Sequence, residues 1–178
     1  MIRWDNYFLG ITDAVATKSS CLSRKLGAIL VRNKKIISTG YNGPPSGIPH
    51  CDTVKRREYL LQRYKDDYPK YMLNGLFIPE SVGVCPRQVM GFASGTKLSW
   101  CPAVHAEANC VASAAQMGHS TKGCTLYMNN DITPCKDCIG LLINAGIEEV
   151  VMKGDKEYTD SFIIKQCFIK FRVIIKEN

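Results

Sequence analysis

Three residues of this 178-residue chain combine the side-chain types and the spacing of a catalytic metal site. They are His105, in the run His-Ala-Glu, and Cys135 and Cys138, in the run Pro-Cys-Lys-Asp-Cys. One imidazole and two thiolates supply three ligands for zinc, and a tetrahedral zinc with three protein ligands keeps its fourth position for water. Glu107 follows His105 by two residues, so its carboxylate can reach that water and move its protons without binding the metal.

Two helix starts are predicted to carry these ligands. Cys135 and Cys138 are three positions apart, so both sulfurs lie on one face of a helix. Thr133 is predicted to be the N-cap and Pro134 the first helical residue, which puts both thiolates in the first turn, where the helix dipole favours negative charge. His105 is predicted to open a second, buried helix. Two helix N-termini that converge on one ion explain how ligands so far apart in the chain can meet.

Each motif alone has a less specific interpretation. A single His-x-Glu run is usually a solvated helix start, and a single Cys-x-x-Cys pair is a redox pair or half of a zinc knuckle. Both motifs together, in this order and with a proline before the first cysteine, favour catalytic zinc.

Composition narrows the functional classes. The formal net charge is +7, and the basic residues are scattered, which favours small anionic molecules over nucleic acid as partners. No apolar run is long enough to span a membrane, and the first residues lack the apolar stretch of a signal peptide. We therefore expect a cytoplasmic protein, whose nine cysteines bind metal or stay buried as free thiols rather than form disulfides.

The hydrophobic pattern predicts a single domain, residues 1–178, in which strands alternate with helices. This pattern indicates an α/β sheet with helices on both faces. The irregular segment at about 48–101 is predicted to be an insertion. Long irregular segments inside compact domains are usually functional or held in place by a metal. The predicted helices are 3–17, 55–68, 105–117, 135–145 and 158–168, and the predicted strands are 25–31, 36–41, 125–128, 148–153 and 169–175.

Several runs of the chain resemble the cytidine deaminase superfamily and, within it, the deoxycytidylate (dCMP) deaminases. Besides the two zinc motifs, these runs are residues 21–30, 38–43, 49–51 and 143–147. The run Gly-Tyr-Asn-Gly and the long insertion separate the chain from the tRNA adenosine deaminases. The resemblance implies a cytidine-deaminase-like fold, with a mixed five-stranded sheet flanked by helices. It also implies a homo-hexamer that is activated by dCTP, bound with Mg²⁺, and inhibited by dTTP.

The activity implied by the resemblance is zinc-dependent hydrolytic deamination of dCMP to dUMP and ammonia, a step that feeds thymidylate synthesis. Zinc lowers the pKa of its bound water toward about 7. Glu107 would take a proton from that water, pass it to N3 of the pyrimidine while hydroxide attacks C4, and then protonate the leaving amine. Other zinc deaminases, acting on a nucleoside, dCTP or tRNA, are the first alternative. A non-catalytic zinc-stabilised binding module is the second, but a purely structural site has no use for Glu107.

The resemblance also assigns roles around the substrate. The Ala106 amide would contact the base O2, the Thr133 carbonyl the amine, and Asn42 the sugar 3′-hydroxyl, although Asn42-Gly is equally explained as a turn. Arg24 is a candidate for the substrate phosphate or a surface charge, and Tyr127 is a candidate for the base pocket or a core tyrosine. The effector nucleotide would be bound by Gly40, Tyr41, Asn42 and Gly43.

Four further cysteines are candidates for a second, structural zinc. Cys21 and Cys51 match positions that hold such a zinc in relatives, and Cys85 and Cys101 could complete a four-thiolate site. His50 is an alternative ligand. The remaining cysteines, at positions 110, 124 and 167, are expected to be small buried hydrophobic residues.

The sequence departs from the family pattern in the loop before the second zinc motif. The stretch from Asn129 to Asp131 makes this loop about two residues longer than usual. We expect the extra residues to reshape the rim of the substrate pocket.

Overall fold

The computed structural model describes residues 3–63, 72–73, 76–77, 83–89, 91–93, 96–154 and 169–174. The chain forms two compact units. The first comprises Met1–Ser19, Leu26–Asn42 and His105–Asn178, and the second comprises Ser20–Lys25 and Gly43–Val104. The predicted insertion at about 48–101 falls in the second unit, and the predicted helix at 158–168 lies outside the described residues.

Helices and strands alternate along the described chain. The helices are α1 (Trp4–Ala16), α2 (Val54–Arg63), α3 (Pro86–Val89), α4 (Ala106–Gln116) and α5 (Lys136–Asn144), with a short 3-10 helix at Leu98–Trp100. The strands are β1 (Gly27–Arg32), β2 (Lys35–Tyr41), β3 (Met72–Leu73), β4 (Leu76–Phe77), β5 (Thr125–Met128), β6 (Glu149–Met152) and β7 (Lys170–Val173).

The first unit is built on a sheet with the strand order β2-β1-β5-β6-β7. Strand β1 runs antiparallel to both β2 and β5, whereas β5, β6 and β7 are parallel. The hairpin turn between β1 and β2 has positive φ angles at Asn33 and Lys34, the geometry that matches the twist of two paired strands. This mixed sheet with its helices confirms the predicted α/β fold class.

Alternating residues of the strands feed two hydrophobic clusters, one on each face of the sheet. On one face, Ala28 and Leu30 of β1 pack with α4 and α5; on the other, Ile29 and Val31 pack with α1. In α1, Phe8 is buried against this second cluster, whereas Trp4 remains 51% exposed. The thiols of Cys110 and Cys124 are buried in the first cluster, as predicted, and Cys167 lies outside the described residues.

Close packing of α4 on the sheet depends on a glycine. A Cβ atom placed on Gly40 would lie 2.3 Å from the backbone nitrogen of Cys110 and 2.5 Å from the carbonyl oxygen of Ala106. Both atoms belong to the backbone of α4, which cannot yield as a flexible side chain would. The absence of a side chain in β2 therefore sets how closely α4, and with it the start of that helix, approaches the sheet.

A network of charged and polar side chains joins α1 to the edge strand β7 and its neighbour β6. Arg172 of β7 donates to Asp5 and makes two hydrogen bonds of 3.1 Å to the carboxylate of Glu149. The Tyr127 hydroxyl donates to Asp5 at 2.9 Å. Burial raises the pKa of Asp5, but the hydrogen bonds from Arg172 and Tyr127 outweigh it and hold that pKa below its usual value.

The second unit contains α2, the small β3–β4 hairpin, α3 and the 3-10 helix. Its two ends are joined by an antiparallel bridge, in which the N–H groups of Gly43 and Val104 each donate to the other residue's carbonyl, at 3.2 and 2.9 Å. Arg87 donates to the carbonyls of Ala93 and Thr96 and so fixes a loop of this unit. Across the described parts of both units, no helix is long and apolar enough to cross a bilayer.

Replacing Gly40 with alanine should destabilise the protein by about 1–3 kcal/mol, because the added methyl group would overlap the backbone of α4. Gly10→Ala is the matched control: a Cβ there meets nothing within 4 Å in the interior of α1. That control should stabilise the protein by about 0.5–1 kcal/mol. Urea unfolding measures both, and equal stability for the Gly40 variant and the wild type would contradict the packing argument.

Asp5→Asn should destabilise the protein by about 1.5–3 kcal/mol at pH 7, since hydrogen bonds to a charged group are lost. A carboxyl with a lowered pKa contributes stability above its unfolded pKa of about 3.9, and this is lost as pH falls through the folded pKa. The difference between variant and wild type should therefore shrink below about pH 4 in thermal unfolding curves. Asp13→Asn, at a more exposed pair with Lys153, should cost less than about 1 kcal/mol. A difference that stays constant down to pH 3 would rule out Asp5 as the cause.

Candidate metal centre

His105 lies at the N-cap of α4, in extended backbone conformation. Its imidazole makes no capping hydrogen bond, so the side chain is available to point away from the helix. The predicted helix at 105–117 is thus confirmed, with the ligand immediately before its first helical residue. Because Gly40 sets the approach of α4 to the sheet, it also sets where His105 stands.

The two thiols come from the start of α5. Cys135 is the N-cap of this helix and Cys138 lies in its first turn. The prediction that Thr133 caps the helix and Pro134 opens it was wrong by two residues, because the chain stays extended through Cys135. Both sulfurs nevertheless lie at the positive end of the helix dipole, as the predicted helix start required.

The three side chains converge as the sequence predicts. His105 Nδ1 lies 3.6 Å from Cys135 Sγ and 3.4 Å from Cys138 Sγ. Tetrahedral zinc with ordinary Zn–N and Zn–S bond lengths requires about 3.6 Å between such atoms. The donor atoms lie within 4.8 Å of one another, and no other group of three such residues does so in the described parts of the chain. The donor set and its spacing therefore fit a zinc ion.

Electrostatics in the cluster favours a bound cation. A hydrogen bond from Cys138, and then one from His105, lower the pKa of Cys135 to about 4. The hydrogen bond with Cys135 and burial raise the pKa of the Cys138 thiol, and the hydrogen bond with Cys135 raises that of His105. Zinc binds both sulfurs as thiolates, so a bound metal ion would replace the proton that the raised pKa of Cys138 retains.

Glu107 provides a buried carboxyl group beside the cluster. Its side chain is 4% exposed, and its Oε2 atom has no hydrogen-bond partner in the described structure. Burial raises the pKa of Glu107, although the charge of His105 partly offsets this. Buried polar atoms without partners are rare and costly, so the site is built to offer this oxygen to a bound molecule. A carboxyl group with a raised pKa retains a proton more readily than an exposed one, which suits it to proton transfer.

The residues assigned to substrate contacts have different surroundings. Ala106 and Thr133 are both buried; Ala106 is the first residue of α4, and Thr133 lies two residues before the N-cap of α5. Asn42 is buried as well, and its Oδ1 accepts hydrogen bonds from the Ser19 hydroxyl at 2.7 Å and the Leu26 N–H at 2.8 Å. The side chain of Asn42 is therefore part of the local structure, and Ser19 is its partner that the sequence did not reveal.

Tyr127 does not face this centre. It belongs to the hydrophobic cluster with α1, where it packs against Phe8 at 5.0 Å between ring centroids. The residues on either side of it in β5, Leu126 and Met128, belong to the cluster with α4. The strand therefore directs Tyr127 to the opposite face of the sheet, and its assignment to the base pocket was wrong. It is the core tyrosine that the alternative interpretation described.

The remaining nucleotide-site candidates lie in both units. Arg24 belongs to the second unit, with an exposed side chain and a backbone N–H that donates to Cys21 Sγ at 3.5 Å. Tyr41 ends β2, and its carbonyl accepts a hydrogen bond of 2.8 Å from the side chain of Asn109 in α4. Asn109 therefore ties α4 to the end of β2, a role that the sequence did not identify. Gly40 is explained by helix packing, and Gly43 by its bridge to Val104.

The four remaining candidate ligands are all described and all belong to the second unit: Cys21, Cys51, Cys85 and Cys101. Burial raises the pKa of Cys51 to about 11, and the other three thiols raise it further while Arg56 lowers it. The four sulfurs thus share one neighbourhood, but no three of them lie within 4.8 Å of one another. The alternative ligand His50 has its Nδ1 within 2.6 Å of the Ser20 hydroxyl.

Comparison with known proteins agrees with this geometry. The family described as the cytidine and deoxycytidylate deaminase zinc-binding region matches residues 2–153. The deoxycytidylate deaminase of Mycobacterium phage D29 is 36% identical over 148 residues, covering 83% of this chain and 92% of the relative. That of Enterobacteria phage T2 is 35% identical over 149 residues, covering 80% and 76%.

Solved structures show the same fold. The dCMP deaminase of cyanophage S-TIM5, crystallised in complex with dCMP and dUMP, superposes with a TM-score of 0.60 over 94% of each chain at 21% identity. The family match spans both zinc motifs and most of the chain. The chain therefore belongs to the cytidine and deoxycytidylate deaminase family and carries its His-Cys-Cys zinc site.

Proposed function

We propose that the protein catalyses the hydrolytic deamination of dCMP to dUMP and ammonia. The observation that carries this proposal is the buried, unpartnered oxygen of Glu107 beside three convergent zinc ligands. The relatives that are more than a third identical over most of the chain are deoxycytidylate deaminases, which selects dCMP among the substrates of the family. The cluster together with Glu107 has the composition of a hydrolytic site rather than a structural one.

Zinc, when bound, would lower the pKa of water at its open position and so supply a nucleophile at neutral pH. Glu107 would accept one proton of the attacking water on Oε2 and deliver it to N3 of the base as the water oxygen bonds to C4. The same carboxyl group would then take the second proton from that oxygen and pass it to the amine, so that the C4–N bond breaks as the C4 carbonyl forms. Its burial excludes competing water, and its raised pKa means that it retains each proton more readily than an exposed carboxyl group would.

The remaining contacts complete the proposal. The Ala106 N–H is one of the helix-start amides without an intrahelical partner, and it would donate to the base O2. The Thr133 carbonyl would accept from the exocyclic amine, the Asn42 side chain would contact the 3′-hydroxyl, and Arg24 would bind the phosphate. The support for these roles is the resemblance to the family, whose match over residues 2–153 includes all four residues.

Regulation and assembly are proposed on the same ground. Residues 38–43 resemble the deaminase family and lie in its matched region; by this family likeness, dCTP with Mg²⁺ would activate the enzyme and dTTP would inhibit it. Gly40, Tyr41, Asn42 and Gly43 would form part of that effector site. A cytoplasmic homo-hexamer that supplies dUMP for thymidylate synthesis completes this assignment.

The direct test is ammonia release from dCMP by the zinc-loaded protein, with and without dCTP and Mg²⁺. Glu107→Gln should lower kcat by at least about a thousandfold, because one residue performs both proton transfers, and zinc should remain bound. Cys138→Ala should lose both zinc and activity, whereas Cys110→Ala, a buried thiol outside the cluster, should keep zinc.

Cytidine, dCTP and tRNA serve as comparison substrates in the same assay. Faster turnover of any of them than of dCMP would reject the proposed substrate. Loss of zinc in the Glu107 variant would mean that the carboxylate is a ligand and not a proton carrier.

We also propose a second, structural zinc in the second unit, bound by Cys21, Cys51, Cys85 and Cys101. Support comes from their common neighbourhood and from the match of Cys21 and Cys51 to family positions. Because the sulfurs are spaced more widely than a four-thiolate site requires, binding would draw these segments together. A metal that links four positions far apart in the sequence would stabilise this unit.

Metal analysis of the purified protein should give two zinc ions per chain. Cys51→Ala should leave one zinc and should make the second unit more sensitive to proteases, since its cross-link is gone. Cys124→Ala, which removes a buried thiol of the sheet core, is the control that should keep two. One zinc per chain in the wild type would exclude the second site, and unchanged content after His50→Ala would exclude the histidine as a ligand.

A further inference from the structure

The two extra residues of the loop before α5 are fixed from both sides. Asn129 pairs with Gly27 at the start of β1: its N–H donates to the Gly27 carbonyl at 3.2 Å, and its Oδ1 accepts the Gly27 N–H at 2.9 Å. The carbonyl of Asn130 accepts the N–H of Lys153, just after β6, at 3.0 Å. The loop is thus held between the ends of two strands of the sheet.

Packing holds the next residue equally closely. A Cβ atom on Gly154 would lie 2.7 Å from Cβ of Asp131 and 2.9 Å from its Cα. The chain after β6 therefore runs directly against the loop. None of these contacts involves the side chain of Asn130, which makes its own hydrogen bonds within the loop.

The side chain of Asn130 folds back over the loop and makes two hydrogen bonds within it. Its Oδ1 accepts the N–H of Asp131 at 3.0 Å, and its Nδ2 donates to the carbonyl of Ile132 at 2.8 Å. That carbonyl belongs to the same planar peptide group as the N–H of Thr133. Thr133 and Pro134 are both buried, and the proline ring fixes one further dihedral angle. One amide group thus restricts the chain where it enters the site.

We propose that Asn130 is a positioning residue, whose side-chain N–H holds the Ile132–Thr133 peptide so that the Thr133 carbonyl faces the exocyclic amine of the base. This inference rests on the proposed function, since it assigns a purpose to the loop only if the substrate carries an amine at C4. Asn130 does not touch the substrate in this proposal; it acts through the orientation of a neighbouring carbonyl group.

The positioning role predicts selectivity between substrate and product. The amine of dCMP donates hydrogen bonds, whereas dUMP presents a carbonyl oxygen at the same position. A fixed carbonyl at Thr133 attracts the first and repels the second, because two acceptors cannot share a hydrogen bond. Loosening Thr133 should therefore weaken binding of dCMP far more than binding of dUMP.

The test uses zinc-loaded Glu107→Gln protein, which should bind dCMP without turning it over, and compares it with the double variant that also carries Asn130→Ala. Calorimetry should show the Kd for dCMP rising about tenfold, the effect of one lost hydrogen bond, while the Kd for dUMP changes less than about twofold. Asn33→Gly, in the β1–β2 turn at positive φ, is the control that should change neither Kd. Zinc content and melting temperature are measured for every variant.

Asn130→Asp separates positioning from simple turn formation. An aspartate keeps the acceptor for the Asp131 N–H but lacks the donor for the Ile132 carbonyl, so it should lose dCMP affinity as alanine does. Full affinity in the aspartate variant, equal losses for dCMP and dUMP, or no loss for either nucleotide would each overturn the inference. If the wild-type protein releases no ammonia from dCMP, the proposed function fails instead, and the two failures are distinguishable.

Discussion

The structure depends on the convergence of two helix starts on one point beside the sheet. Three donor atoms, one nitrogen and two sulfurs, lie 3.4–3.6 Å from one another across the His105–cysteine pairs. Two thiolates and a buried carboxylate in so small a volume would repel one another strongly without a compensating cation. A zinc ion at this point would neutralise that charge, so the metal site is also what makes the local arrangement of the two helices stable.

The sheet supplies the rigidity that this convergence needs. Strand β1 lies between β2 and β5, and α4 packs on it and on β2 through the gap left by Gly40. The loop after β5 then carries the chain to Cys135 while it is held at the ends of β1 and β6. Both helix starts are thus positioned by strands of this one sheet, and both depend on contacts to β1. A shift of any one of them would change the distance between His105 and the two sulfurs.

The sequence predicted the parts whose signals are local. The boundaries of β5 and α4 follow from hydrophobic pattern, and the three zinc ligands with Glu107 follow from residue type and spacing. The parts that failed depend on context. The side of the sheet that Tyr127 faces is decided by the register of β5, and the start of α5 at Lys136 by an extended approach that N-cap preferences did not reveal. Local preferences give way where tertiary contacts determine the backbone.

The long-range hydrogen bonds could not be predicted from the local sequence pattern. The pairing of Ser19 with Asn42, and of Asn109 with the carbonyl of Tyr41, joins segments whose proximity is a product of the whole fold. Asn42 follows β2 and precedes a glycine, and the sequence alone predicts only a turn at such an asparagine.

Several contacts of α4 and α5 hold Glu107 in its buried position. A carboxyl group with an unpartnered oxygen in the interior costs stability, and such a group persists only where the surrounding structure holds it in place. Here that structure consists of α4 packed against Gly40, the Asn109 link to β2, and the cysteines of α5 on the other side. An exposed glutamate at the same position would be solvated, with an ordinary pKa and a mobile side chain. The protein therefore gives up some stability to keep this carboxyl group buried beside the candidate metal position.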